Sequence, residues 1–185
     1  MDGERQTIAI ADRGRVCRLD YAGLMAYHGG AAVLGATVAF RALQRASCAL
    51  SDQSLWERED LTIISAHPGP GVRDAIEFVT RCVTRGRYRL FDSVDCGHCD
   101  GGMRFEWQIG DGRRHVSLEL REGFVPQRFF DLAERKSTER ASADERRELE
   151  RLKMMLTERL WEEPLETLFP LGADTAAVKG EEAHA

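Results

Sequence analysis

The sequence predicts an α+β fold: one mostly antiparallel sheet with helices packed on one face and a C-terminal helical arm. Three observations carry this. "MRFEWQI" and "RHVSLEL" alternate with the period of two expected of strands that bury one face, and Asp111-Gly112 between them is a strong hairpin signal. Val72, Ile76, Val79 and Val83 recur at helical spacing. Strand-like and helix-like segments mix without strict alternation.

Taken in order, "QTIAIADRGRVCRL" alternates weakly and predicts an edge strand or hairpin. Asp20 stands where an N-cap would open a short helix, "YAGLMAY", which Gly29-Gly30 should end. "AAVLGATVAFRALQRASCAL" reads as a second helix, with Gly35 and Ala39 four apart on one face, where another element can approach closely. "LTIISA", β-branched and apolar, predicts a central strand that runs through "HPGPG" into the helix "VRDAIEFVTRCV". "RYRLFDSV" precedes the hairpin as a further strand. Ser142 and Glu145 form a capping-box pattern ahead of an apolar stripe of Leu149, Leu152, Leu156 and Leu160, and "EEPLETLF" predicts a last short helix. The expected organisation is a core over residues 1–140, a helical segment over 141–170 and a disordered tail over 171–185.

With 185 residues the chain is long enough to bury a substantial core. Its net charge of −5 argues against general nucleic-acid binding, which needs a basic surface. Five cysteines, an odd number, with no N-terminal signal peptide ahead of them, point to a reducing cytoplasm and to free or metal-bound thiols. The run from Tyr21 to Phe40 is free of charge and long enough to span a membrane. It also holds four glycines, a histidine and two tyrosines, so a buried helix pair is the expected outcome.

The most chemically suggestive stretch is "DCGHCDGG", residues 95–102. A dithiol exchanger needs its first cysteine at a helix N-terminus, where the dipole stabilises the thiolate. Here two glycines and a strand follow, so the loop does not fit that chemistry. Two readings stay open. Cys96 and Cys99 can reach one zinc through a tight turn, with His98 or a distant residue such as His67 or His28 contributing the further ligands. Otherwise the segment is a strand-to-strand loop with reduced cysteines.

"HPGPGVRDA" is the second candidate. A glycine-proline loop opening a helix leaves backbone N–H groups free, and Gly69, Gly71, Arg73 and Asp74 could hold an anionic ligand beside His67. A rigid turn capped by Asp74 or water is the alternative. Arg81, Arg85, Arg87 and Arg89 make a basic patch that reads as a solvated face, and Cys17 and Cys48 read as structural.

"YHGGAAVLGATVAFRAL", "IISAHPGPGVRDAIEFVTRCVTRGRYRL" and "SADERRELERLKMMLTERLWEEPLETLF", in that order, resemble the E-type subunits of formylmethanofuran dehydrogenase over about Asp20 to Phe169. That family's first motif is His-Gly-His-x-Cys-Pro-Gly. His28 and Gly29 match it, while Gly30 stands in place of the second histidine and Ala32 in place of the cysteine. In the second, Asp74, Ala75, Thr80, Cys82 and Gly86 match, and Gly71 replaces a cysteine. Many members carry a C-terminal cysteine-rich zinc module that this sequence lacks. The usual metal pocket therefore does not transfer intact, and only His28 and Cys82 carry over from it.

The resemblance implies a divergent member, homodimeric, serving as a zinc- or small-ligand-binding accessory domain beside subunits that carry molybdenum or tungsten redox chemistry. Its expected metal ligands are His67, Cys96, His98 and Cys99 with His28, which requires His67 to stand beside the Cys96–Cys99 loop. Two other classes are open: a zinc-dependent hydrolase or lyase with His67 or His28 shuttling protons, and a non-catalytic interaction module docking through the charged helix from Asp144 to Leu160 and the arginine patch, which an exposed stripe of Leu149, Leu152 and Leu156 would favour.

Overall fold

The computed structural model describes residues 6–51, 54–91 and 104–171. Strands β1 (Thr7–Asp12) and β2 (Arg15–Asp20) form an antiparallel hairpin, turned by Arg13 and Gly14 at φ 55° and 74°. Its inner face, Ile8 and Ile10, is buried and lies against the long second helix. Asp20 then caps α1 (Tyr21–His28), its Oδ1 accepting from Gly23 N at 2.6 Å. Gly29 ends the helix in the left-handed region at φ 55°, donating its N–H to Met25 O.

Helix α2 (Val33–Leu50) has no side-chain cap and is held by burial instead: Leu34, Val38, Phe40 and Leu43 are all enclosed. It runs against β1, α3 and α5. The main sheet has the order β4-β3-β5-β6, with β3 (Thr62–Ser65), β4 (Tyr88–Leu90), β5 (Glu106–Gly110) and β6 (His115–Glu119). Strand β3 is internal, as its composition predicts. It is parallel to β4 and antiparallel to β5, and β5 is antiparallel to β6. The register aligns Ile63 with Ile109 and Val116, and Ser65 with Trp107 and Leu118. These two buried rows make the covered face of the sheet. The hairpin turn is fixed by Asp111 Oδ1, which accepts from Arg113 N and Arg114 N, with Gly112 at φ 80°.

Between β3 and β4 lies α3 (Pro70–Thr80), the crossover helix of the parallel pair. Proline at its first position costs nothing there, since that N–H has no helical partner anyway. Its closest approach to α2 is at Gly71, where a Cβ would lie 2.2 Å from Ala32 O and 2.8 Å from Ala36 N. Across the same contact, Gly35 faces Val72 at ordinary van der Waals distance. The other end of α3 is closed by a residue whose role sequence patterns do not suggest. Arg58, 5 % exposed, donates to the carbonyls of Phe78 and Val79 and to Asp12 Oδ2. Arg85 binds the other oxygen of Asp12, and the two guanidinium groups, Arg85 first, hold the Asp12 carboxyl below its usual pKa. Arg87 donates to Arg58 O, so two members of the arginine patch serve the fold.

Helices α4 (Gln127–Ser137), α5 (Ala143–Glu162) and α6 (Leu165–Leu168) follow. The capping box at Ser142 and Glu145 is formed in both directions. Leu149, Leu156 and Leu160 are fully buried, and Leu152 packs on the same core. The leucine stripe is thus covered by the chain itself, mainly by α2, and is not an exposed docking face. Beyond Leu171, the expected tail lies outside the described residues. No helix among the described residues is long and apolar enough to cross a membrane. Tyr21 to Phe40 instead forms α1 and the first part of α2.

Candidate functional site

A cavity of about 600 Å³ opens where the α1–α2 junction meets the loop from β3 into α3. It lies beyond the carboxyl end of a parallel strand, the place where crossover connections leave room for ligands. Of the candidate residues in the sequence, the cavity gathers His28, His67, Gly69, Gly71 and Asp74. Its apolar wall is made by Leu34, Val72, Phe105 and Phe129, and Lys153 stands among the lining residues.

His28 ends α1 and is pinned from across the junction. Its Nδ1 lies 2.7 Å from Asp74 Oδ2, and its side chain is only 4 % exposed. In the neutral ring the carboxylate accepts the Nδ1 proton, which leaves a lone pair on Nε2. That nitrogen is buried, with no hydrogen-bond partner among the described residues. The ring edge carrying it is turned toward Gly30: a Cβ at that position would lie 3.0 Å from Cε1 and 3.1 Å from Nε2.

His67 is held in the complementary state. Gly69 N donates to its Nδ1 at 2.9 Å, so the proton of the neutral ring sits on Nε2. The ring stacks on Phe105 with centroids 4.5 Å apart and planes 23° from parallel. Burial lowers its pKa from the ordinary 6.5 to about 4, keeping the imidazole neutral. Gly69 is needed for this pose, because a Cβ there would stand 2.5 Å from His67 Cε1.

Other expected site residues lie elsewhere. Arg73 lines a separate surface cleft with Tyr27 and Glu77. Its absence from the cavity, the missing N–H of Pro70 and the use of the Gly69 N–H by His67 reduce the loop's capacity to cradle an anion. Cys82 is buried behind α3, its thiol donating to Leu61 O, and burial pushes its pKa up. It does not line the cavity. Asp74, a candidate cap for the turn, is bound to His28 instead. Cys96, His98 and Cys99, and with them the required approach to His67, lie outside the described residues.

Zinc finds only part of a site in this geometry. Among the described residues no group of three or more histidine, cysteine or acidic side chains is placed to hold a metal. His28 has the form of a ligating histidine, with a lone pair forward and a carboxylate behind. His67 does not fit as held: a metal needs its lone pair, and Nε2 carries the proton for as long as Gly69 N binds Nδ1. Ala32 and Gly71, where the resemblance would place cysteines, are pressed together by the contact of α2 with α3.

Sequence reasoning missed the pairing of His28 with Asp74 and the contributions of Phe105, Phe129 and Lys153. Lys153 carries a legible signal, since it stands four residues after Leu149 on the inward side of α5. A second cavity, about 390 Å³, lies between β1, α2 and the α5–α6 junction. Its buried cation, Arg41, is occupied by Leu160 O, Glu163 O and Gln44 Oε1, a structural role. No family model and no curated protein matches this chain.

Proposed function

We propose that the chain is a small-ligand-binding accessory domain of the kind found as the E-type component of formylmethanofuran dehydrogenase, working beside one-carbon or molybdopterin redox chemistry carried by other subunits. The motif order in the sequence supports the family part of this reading. One observation supports the binding part: an apolar cavity of about 600 Å³ is lined by two buried imidazoles, His28 held by the Asp74 carboxylate and His67 stacked on Phe105. Ligand pockets have this composition, mostly apolar with a few fixed polar groups.

Protein-observed NMR against a set of small aromatic compounds tests the binding. Resonances of Gly30, Leu34, Val72 and Phe105 should shift together, and Ala31→Trp, a substitution at an exposed lining position, should suppress the shifts. Compounds that shift only scattered surface residues would sink the reading. Co-migration with a molybdenum or tungsten formylmethanofuran dehydrogenase core on size-exclusion chromatography tests the accessory role.

A second reading is favoured by the Asp74–His28 pair, which has the carboxylate–histidine arrangement of zinc sites. Here His28 would hold zinc together with Cys96 and Cys99, and zinc-dependent hydrolase or lyase activity would require an open coordination position on it.

A further inference from the structure

Resting on the small-ligand reading, we infer that the cavity selects flat, uncharged ligands carrying an acceptor of the carbonyl type, and that the Nε2–H of His67 donates to it. The backbone defines this donor. Gly69 N–H occupies Nδ1, so the proton of the neutral ring stays on Nε2. A Cβ at position 69 would stand 2.9 Å from Nδ1 and 3.8 Å from Nε2, so the loop grips one edge of the ring and Nε2 lies on the other. Among the described residues Nε2 has no hydrogen-bond partner. Nor is it sealed: the side-chain atoms there that are both buried and unpartnered are His28 Nε2, Arg85 Nη1 and Trp107 Nε1. The proton is therefore open to the cavity that the ring lines.

The rest of the lining sets the character of the ligand. Leu34, Val72, Phe105 and Phe129 are apolar, and Phe105, stacked on one face of the imidazole, steadies the edge that carries the proton. The charged groups of the wall are already engaged, Asp74 Oδ2 with His28 Nδ1 at 2.7 Å and Lys153 Nζ with Glu150 Oε1 at 2.9 Å. Neither calls for a counter-charge on the ligand. Burial keeps His67 neutral, so its N–H suits an uncharged acceptor. A hydrocarbon of the same outline would cover that N–H and leave it unmet, which costs binding energy.

The test is titration of the full-length chain with acetophenone and with ethylbenzene, which has nearly the same outline and no acceptor. The readouts are the histidine ring ¹H–¹⁵N correlations and the lining methyl groups. Acetophenone should bind roughly tenfold more tightly, the order expected of one recovered buried hydrogen bond, and should move the His67 Nε2 signal. His67→Phe, which keeps a flat ring and removes the N–H, should bring the two probes level. Lys153→Met removes the ammonium from the wall, and there the preference should persist. A preference that survives His67→Phe, or is lost in Lys153→Met, overturns the assignment to His67. Benzoate binding more tightly than acetophenone would overturn the uncharged class. Equal binding of acetophenone and ethylbenzene to the wild type overturns the acceptor inference and leaves the small-ligand reading intact. If no probe shifts the lining residues, both fall.

Discussion

Asp74 Oδ2 and His28 Nδ1 meet at 2.7 Å across 46 residues of sequence, joining the first half of α3 to the last residue of α1. The contact fixes the imidazole and places one side of the cavity. Removing the carboxylate would leave both ring nitrogens of a buried histidine without partners. Asp74→Ala should therefore lower stability by about 1–3 kcal/mol in urea denaturation, and Asp74→Asn, whose amide oxygen can still accept, by less.

The pH dependence follows from His67. Its pKa falls from 6.5 to about 4 on folding, so the unfolded chain takes up this proton first as pH drops. The sign is then fixed: stability is complete above about pH 6.5 and is lost progressively as pH falls toward 4. The loss is on the order of 3 kcal/mol. Denaturation midpoints measured from pH 7 to 4 should decline less steeply in His67→Asn, which retains an acceptor for Gly69 N. In Gly69→Ala the ring is displaced, and an NMR titration should find the His67 pKa moved up toward its ordinary value.

Gly71→Ala should separate α2 from α3. The added methyl would lie 2.2 Å from a backbone carbonyl oxygen, which cannot rotate away as a side chain can. A cost of about 1–3 kcal/mol or more is expected, readable as a lower thermal midpoint. Gly35→Ala, whose methyl would meet Val72 at 3.6 Å, should be far milder.

Arg58→Met should destabilise by about 3–5 kcal/mol, because it uncaps two carbonyls of α3 and removes a buried partner of Asp12. Hydrogen exchange should show the last turn of α3 opening first. If the last turn of α3 stays protected, Arg58 is not the cap.

The zinc reading separates cleanly from these. Protein purified without an affinity tag and supplied with zinc should hold about one ion per chain if His28, Cys96 and Cys99 bind it, and should lose it in Cys96→Ser/Cys99→Ser. Wild type without zinc would end that reading.

Local signals are legible in the sequence. Asp20, Gly29, the Ser142–Glu145 box and the Asp111-Gly112 turn each act within a few residues, and each forms as expected. The strand pattern also reports burial faithfully, since alternation puts Trp107, Ile109, Val116 and Leu118 on one face. The site is only half legible. His67 and Gly69 are neighbours whose hydrogen bond is local, and both are candidates on sequence alone. The pairing of His28 with Asp74 depends on how α1 meets α3, and no periodicity records that. Cys82 misleads for a related reason: it matches a motif position, yet the end of the helix turns its thiol toward Leu61 and away from the cavity. Arg58 is invisible because a charged residue in a connecting segment looks solvated until its carbonyl partners are seen.

The sheet's borders have a consequence for self-association. Strand β4 contributes only three residues, and the far side of β6 is occupied by the chain's own return, with Leu118 bridged to Leu171 and Arg121 N donating to Leu168 O. Short or covered borders give a passing chain little backbone to template on. Cutting the chain back to Glu163 would strip that cover, along with Phe169 packed edge-on to Trp107. Such a fragment should precipitate as ordered, thioflavin-binding aggregates under conditions where the whole chain remains dispersed.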